Sequence, residues 1–255
     1  MAKKNIVQII LIVVLVIVLC IIVRLFIDEK NTINTETNNN SMFSQSGETF
    51  LNKSNGDMGQ PGIGNNANVS HTGAIEISSD TTNNLQTYSS TEGSQNAFLV
   101  TNGTSKISNA KITKLGNSND ENLDFYGTNA AVLVKNGTLN MDGGSVTANG
   151  LHANGTINLT NTNIKTTSNN SGAIMVIGGG KLNVTNVIAE TDGNSSAPIR
   201  SDRCGGTMIV NGEKYTANGI GSPVIYSIAD VTVNNATLIS TKSEGAVVEG
   251  KNQLN

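Results

Sequence analysis

Apolar side chains follow two regimes along this chain. Between Asn5 and Val23 they run together with no charge among them, and from Thr104 onward they recur singly between Asn, Thr, Ser and Gly. In the second regime one block repeats six times, starting at Thr104, Thr138, Thr156, Lys181, Thr207 and Asp230. Its second, fourth and ninth places are Ser105, Ile107, Ile112; Leu139, Met141, Val146; Ile157, Leu159, Ile164; Leu182, Val184, Ala189; Met208, Val210, Tyr215; and Val231, Val233, Leu238. All but Ser105 are apolar, in a chain that is 37% hydrophobic overall.

Places two and four keep the period of a strand with one buried face. Places five and six are turn formers: Ser108-Asn109, Asp142-Gly143, Thr160-Asn161, Thr185-Asn186, Asn211-Gly212 and Asn234-Asn235. Asn and Gly accept the left-handed backbone that a sharp corner needs. The ninth place then returns an apolar side chain inward on a second strand. A further strand is expected at Ala131–Val134, Ala173–Ile177, Pro198–Ser201, Pro223–Tyr226 and Ala246–Val248. Three strands per turn and corners between them predict an all-β fold, a right-handed parallel β-helix, over residues 72–255. Successive blocks are 34, 18, 25, 26 and 23 residues apart. The first spacing holds an insertion at Asn117–Thr128. The second implies that the coil near Gly150–Gly155 has lost most of its leading strand. Gly73–Gly93 carries a weaker pattern, as expected of a first, capping coil.

The uncharged run of about 19 residues matches the ~30 Å hydrocarbon core of a bilayer at ~1.5 Å per residue. Lys3 and Lys4 before it and Asp28 and Glu29 after it predict a single-pass signal anchor over residues 1–27, in contact with the membrane through residues 6–27. The N-terminus is then cytoplasmic and the remainder extracellular. Leu19 before Cys20 does not fit a lipobox. Residues 28–71, rich in Asn, Ser, Gly and Thr, read as a flexible linker. The chain has two cysteines, Cys20 and Cys204, which leaves no partner for a disulfide in the exported part. A net charge of −3, no Trp and 4% aromatics exclude a basic, base-stacking surface, so no nucleic acid is expected.

The segment from Gly73 onward resembles the Asn/Thr/Gly-rich β-helix proteins of anaerobic Gram-positive bacteria and methanogens called adhesin-like. Asp124-Phe-Tyr-Gly-Thr-Asn-Ala-Ala-Val-Leu-Val134, Ala197-Pro-Ile-Arg-Ser-Asp-Arg203, Gly221-Ser-Pro-Val-Ile-Tyr226 and Ser243-Glu-Gly-Ala-Val-Val-Glu-Gly-Lys-Asn252 carry that resemblance. It covers roughly two-thirds of the chain and implies a fold of the pectin-lyase-like class and a place on the cell surface, without naming a ligand. Such proteins continue with further coils, so an open C-terminal coil could pair end to end with another chain.

Chemistry is sparse. Polygalacturonase-like hydrolysis needs paired carboxylates, and the chain has no Asp-Asp, Gly-His-Gly or Arg-Ile-Lys. No catalytic residue is assigned. A lyase or hydrolase of the pectin-lyase-like class is the alternative to a non-catalytic adhesin or structural scaffold. Arg200, Asp202 and Arg203 beside Cys204 form the densest polar group, either an Asp–Arg-stabilised corner or a contact site. Phe125, Tyr126 and Tyr226 are the candidates for stacking on a glycan, against ordinary packing at coil edges. No cofactor is required; Asp120, Glu121 and Asp124 are candidates for Ca²⁺, although they lack the order of an EF-hand loop. His71 and His152, without ligand-spaced neighbours, are expected at the surface, and Cys204 reads as a small buried hydrophobe. The expected partner is a polysaccharide or a host or cell surface.

Overall fold

The computed structural model describes residues 69–118, 124–249 and Leu254, all within the compact unit Gly59–Asn255. The expected anchor, residues 1–27, and the expected linker up to residue 68 lie outside the described residues. Among those described, no helix is long and apolar enough to cross a membrane.

The described residues are all-β, and every strand pair is parallel. The first coil is β1 (Gly73–Ile77), β2 (Thr81–Asn84) and β3 (Thr87–Ser90). The second is β4 (Asn96–Val100) and β5 (Thr104–Lys114), and the third is β6 (Val132–Val134) and β7 (Thr138–Ala148). Then follow β8 (Leu151–Ala153), β9 (Thr156–Thr160) and β10 (Asn163–Thr166), and β11 (Ile174–Val176), β12 (Gly180–Thr185) and β13 (Ile188–Thr191). The last are β14 (Ile199–Ser201), β15 (Gly206–Asn211) and β16 (Lys214–Ala217), then β17 (Ile225–Ser227), β18 (Asp230–Asn234) and β19 (Thr237–Ser240), and finally β20 (Ala246–Val248). One sheet stacks β1, β4, β6, β8, β11, β14, β17 and β20 in that order. The rest form a second sheet folded along a corner, which β5 and β7 cross without a break.

The expected register is the observed one. Place two pairs as Ser105↔Leu139↔Ile157↔Leu182↔Met208↔Val231, and place four as Ile107↔Met141↔Leu159↔Val184↔Val210↔Val233. Place nine pairs as Ile112↔Val146↔Ile164↔Ala189↔Tyr215↔Leu238. Of the expected core, Ile107, Ile112, Leu139, Met141, Val146, Ile157, Leu159, Ile164, Leu182, Val184, Met208, Val210 and Val231 are buried. Each burial removes apolar surface from water at about 25 cal/mol per Å². Val233 is only half-buried and Leu238 is 39% exposed, contrary to the sequence expectation. They belong to the last complete coil, where β18 and β19 have a strand neighbour on one side among the described residues.

The corner between places five and nine is a column of left-handed residues. Asn109 (φ 52°), Gly143 (70°), Asn161 (51°), Asn186 (54°), Gly212 (81°) and Asn235 (53°) stand one above another, with Leu85 (54°) at the same place in the first coil. Side-chain amides join the rungs: Asn161 Nδ2 donates to Asp142 Oδ1 (2.7 Å) and Asn186 Nδ2 to Asn161 Oδ1 (3.4 Å).

The short spacing near Gly150 has a different cause from the one expected. β8 is present and pairs on both sides, Leu133↔His152 and His152↔Met175. What is shortened is the turn before it, which is only Asn149-Gly150 between β7 and β8. Its tightness needs glycine, since a Cβ on Gly150 would run into the carbonyl oxygens of Gly172 and Ala173. The preceding coil instead carries the long connection 115–131 between β5 and β6.

Candidate functional site

In the first sheet, one residue of each strand points away from the coil interior, and sequence alternation would make that column polar. It is mixed: Glu76, Leu99, Leu133, His152, Met175, Arg200, Tyr226 and Val247 stand in register, and the four from Leu99 to Met175 are nearly inaccessible. Leu99, Leu133, Met175 and Ile177 form a second apolar cluster, separate from the interior one.

Part of the cover is the described end of the connection between β5 and β6, residues 124–131. Gly127 lies so close to this face that an added Cβ would meet Leu133 Cδ1 at 2.8 Å and His152 Nδ1 at 2.9 Å, and its φ of +85° also favours glycine. Amide side chains tie the connection down. Asn96 Nδ2 donates to the carbonyls of Gly127 (2.7 Å) and Ala130 (2.9 Å), and Asn149 Nδ2 to that of Asn129 (2.8 Å). At its start the buried Lys114 ammonium donates to the carbonyls of Glu92 (2.9 Å) and Gly116 (3.1 Å). Burial lowers the Lys114 pKa, opposed by the charges of Asp124 and Glu92.

The six residues singled out for surface contact meet here. The Arg200 guanidinium lies 4.8 Å from the Phe125 ring centre and 5.3 Å from that of Tyr226. Arg203 lies 5.1 Å from Phe125 and 5.2 Å from Tyr126. Arg200 Nε and Nη2 donate to Asp202 Oδ2 (3.3 and 3.0 Å), and Nη1 donates to the Ser195 carbonyl (2.7 Å). The Arg203 backbone N–H donates to Asp202 Oδ1 (3.0 Å), while its Nη1 stays 4.0 Å from that oxygen. Desolvation, then the neighbouring Glu249, hold the Tyr226 phenol up at about 12.

Two histidines belong to this cluster, against the expectation that both lie on the surface. His152 is buried, and its Nδ1 has no hydrogen-bond partner among the described residues. Burial first, then the positive charges of Arg200 and His71, push it down to about 3, so it is neutral. His71 is half-buried and donates from Nε2 to the Tyr126 carbonyl (3.0 Å); its pKa is lowered, chiefly by burial. The signal that could have found His152 is the column itself. Leu133 and Met175 at the outward place of neighbouring strands imply a cover, and His152 lies between them.

Of the calcium candidates, Asp120 and Glu121 lie outside the described residues, and Asp124 opens the described end of the connection, half-buried. Among the described residues no group of three His, Cys, Asp or Glu could hold a metal ion. Cys204 is exposed at φ 71°, not the buried hydrophobe expected, because it lies in the turn after β14 that the Gly205 N–H closes on the Asp202 carbonyl.

No protein family, curated protein or solved structure matches this chain.

Proposed function

We propose that the chain is a membrane-anchored, extracellular protein whose stacked sheets form a right-handed parallel β-helix. In this reading it serves as a non-catalytic scaffold for contact with polysaccharide or another cell surface. The hand is supported by the strong preference of parallel crossover connections for the right-handed sense. The resemblance to adhesin-like proteins supports the surface role, and the charge-free run Asn5–Val23 supports the anchor.

One observation carries the contact role. Three aromatic rings and two guanidinium groups are gathered on the outside of one sheet by the connection between β5 and β6, by β14 with the turn after it, and by β17. Stacking rings with fixed donors are what a saccharide surface requires. The same geometry argues against the alternative of a lyase or hydrolase centred on Asp202, because both of its oxygens are already engaged. The exposed Leu238 and Val248 support end-to-end pairing with a second copy as an additional association.

The test is a glycan array and cell-binding screen with the full chain in detergent micelles. Binding that is lost on combining Phe125→Ala with Tyr126→Ala supports the reading. A blank array and no cell binding overturn it, as does turnover of a uronate polymer that is abolished by Asp202→Asn.

A further inference from the structure

The two arginines of the cluster share one carboxylate but not one state. Arg200 is saturated: Nε, Nη1 and Nη2 all donate to protein oxygens, and its side chain is 11% exposed. Arg203 rests against the Phe125 and Tyr126 rings, and its side chain is 36% exposed. Yet Nε is buried without a hydrogen-bond partner among the described residues, and its carboxylate contact is the 4.0 Å approach to Asp202, beyond hydrogen-bond reach. Asp202 cannot come closer without releasing Arg200.

Charge points the same way. Arg200 and Arg203 face one carboxylate, Asp202, and His152 beneath them is neutral. Glu249 is hydrogen-bonded to Tyr226, and the charge of Asp124 acts on Lys114. Among the described residues, the carboxylate that approaches Arg203 is Asp202, already committed to Arg200, in a chain whose net charge is −3. General attraction of polyanions to such a chain is disfavoured, so any binding of them must be local.

We infer that Arg203 is the anchoring cation of an oxyanion subsite, which takes a carboxylate or sulfate carried on an acidic polysaccharide. The inference rests on the surface-contact reading above and specifies its ligand class. A guanidinium resting on two rings loses less freedom when it pairs, and its planar fork matches the two oxygens of such a group. Phe125 and Tyr126 hold the fork, Arg200 repels a second cation, and Asp202 fixes Arg200 rather than the ligand.

The experiment titrates the full chain in micelles with polygalacturonate, dextran sulfate and neutral dextran, for the wild type, Arg203→Gln and Arg203→Lys. Circular dichroism and thermal midpoint establish that each variant keeps its sheet. The expected result is binding of one or both polyanions, weakened at least about tenfold by Arg203→Gln and partly restored by Arg203→Lys, with a steep fall in salt. Preference for polygalacturonate identifies a carboxylate and preference for dextran sulfate a sulfate. Polyanion binding that Arg203→Gln leaves unchanged overturns the inference. So does binding confined to neutral glycans, which leaves the surface-contact reading standing. Absence of any glycan or cell ligand removes both.

Discussion

The Arg200 guanidinium sits 4.8 Å from the centre of the Phe125 ring, and this contact joins a connection leaving the second coil to a strand of the sixth. From β6, where that connection ends, β14 is three strands further along the first sheet, roughly 14 Å at the spacing of parallel strands. Phe125→Ala removes the ring that both arginines share. The expected outcome is faster limited proteolysis within 115–131 and a loss of about 2 kcal/mol in denaturant unfolding, from lost packing and cation–π contact. A cleavage map identical to the wild type would refute the role given to Phe125.

Asp202 and Lys165 offer a contrast between ion pairs. Asp202→Ala strands Arg200 in a site where both partners are under 15% exposed, and about 3 kcal/mol of stability should go. Lys165 pairs with Glu190 (2.8 Å) and Asp192 (3.1 Å) on an open face where its side chain is half exposed, so Lys165→Ala should cost under about 1 kcal/mol. Urea melts of the two variants in parallel decide the matter; equal losses would contradict it.

His152 makes stability depend on pH in a definite direction. Its pKa is near 3 in the folded chain against 6.5 for the free side chain, so the unfolded state binds the proton first. Its contribution is complete above about pH 6.5 and drains away as pH falls toward 3, at most about 1.4 kcal/mol per pH unit. His71, also lowered, adds a term of the same sign. His152→Leu, which matches Leu133 in the same column, should lose less stability between pH 7 and pH 4 than the wild type does. Parallel pH-dependence in the two proteins would rule this out.

The left-handed corner column gives a stabilising change. Leu85 adopts φ 54° while 73% exposed, at the place where later coils carry Asn or Gly. Replacing it by Asn should remove about 1 kcal/mol of backbone strain and raise the thermal midpoint by a few degrees. Gly150→Ala acts in the opposite sense: the tight turn cannot admit the methyl group, and a midpoint lowered by many degrees is expected.

Much of this was legible in the residues themselves. Counting places from Thr104 onward fixed the register of Leu139, Ile157 and Leu182 because a strand admits an inward residue only at every second place. Asn161 and Asn186 announced the corner because few other residues tolerate it. The short turn at Gly150 is not legible in the spacing, which cannot say whether a strand or a turn is short. Burial of His152 is not legible, because it depends on a connection folding back over the sheet, a long-range event that local periodicity does not encode. The meeting of Phe125 with Arg200 was legible only as two separate lists of unusual residues.

The reach of residues 115–131 also changes how such a stack should come apart. Where each coil touches only the next, coils can peel from either end one at a time, and stability is a sum of neighbouring pairs. A connection that leaves the second coil and is held by the sixth binds several rungs into one block. Fraying from the far end must first release Arg200 before the coils beneath it can follow. The segment between β6 and β14 therefore opens as a unit, and the protein resists pulling along its axis more abruptly than a simple ladder would.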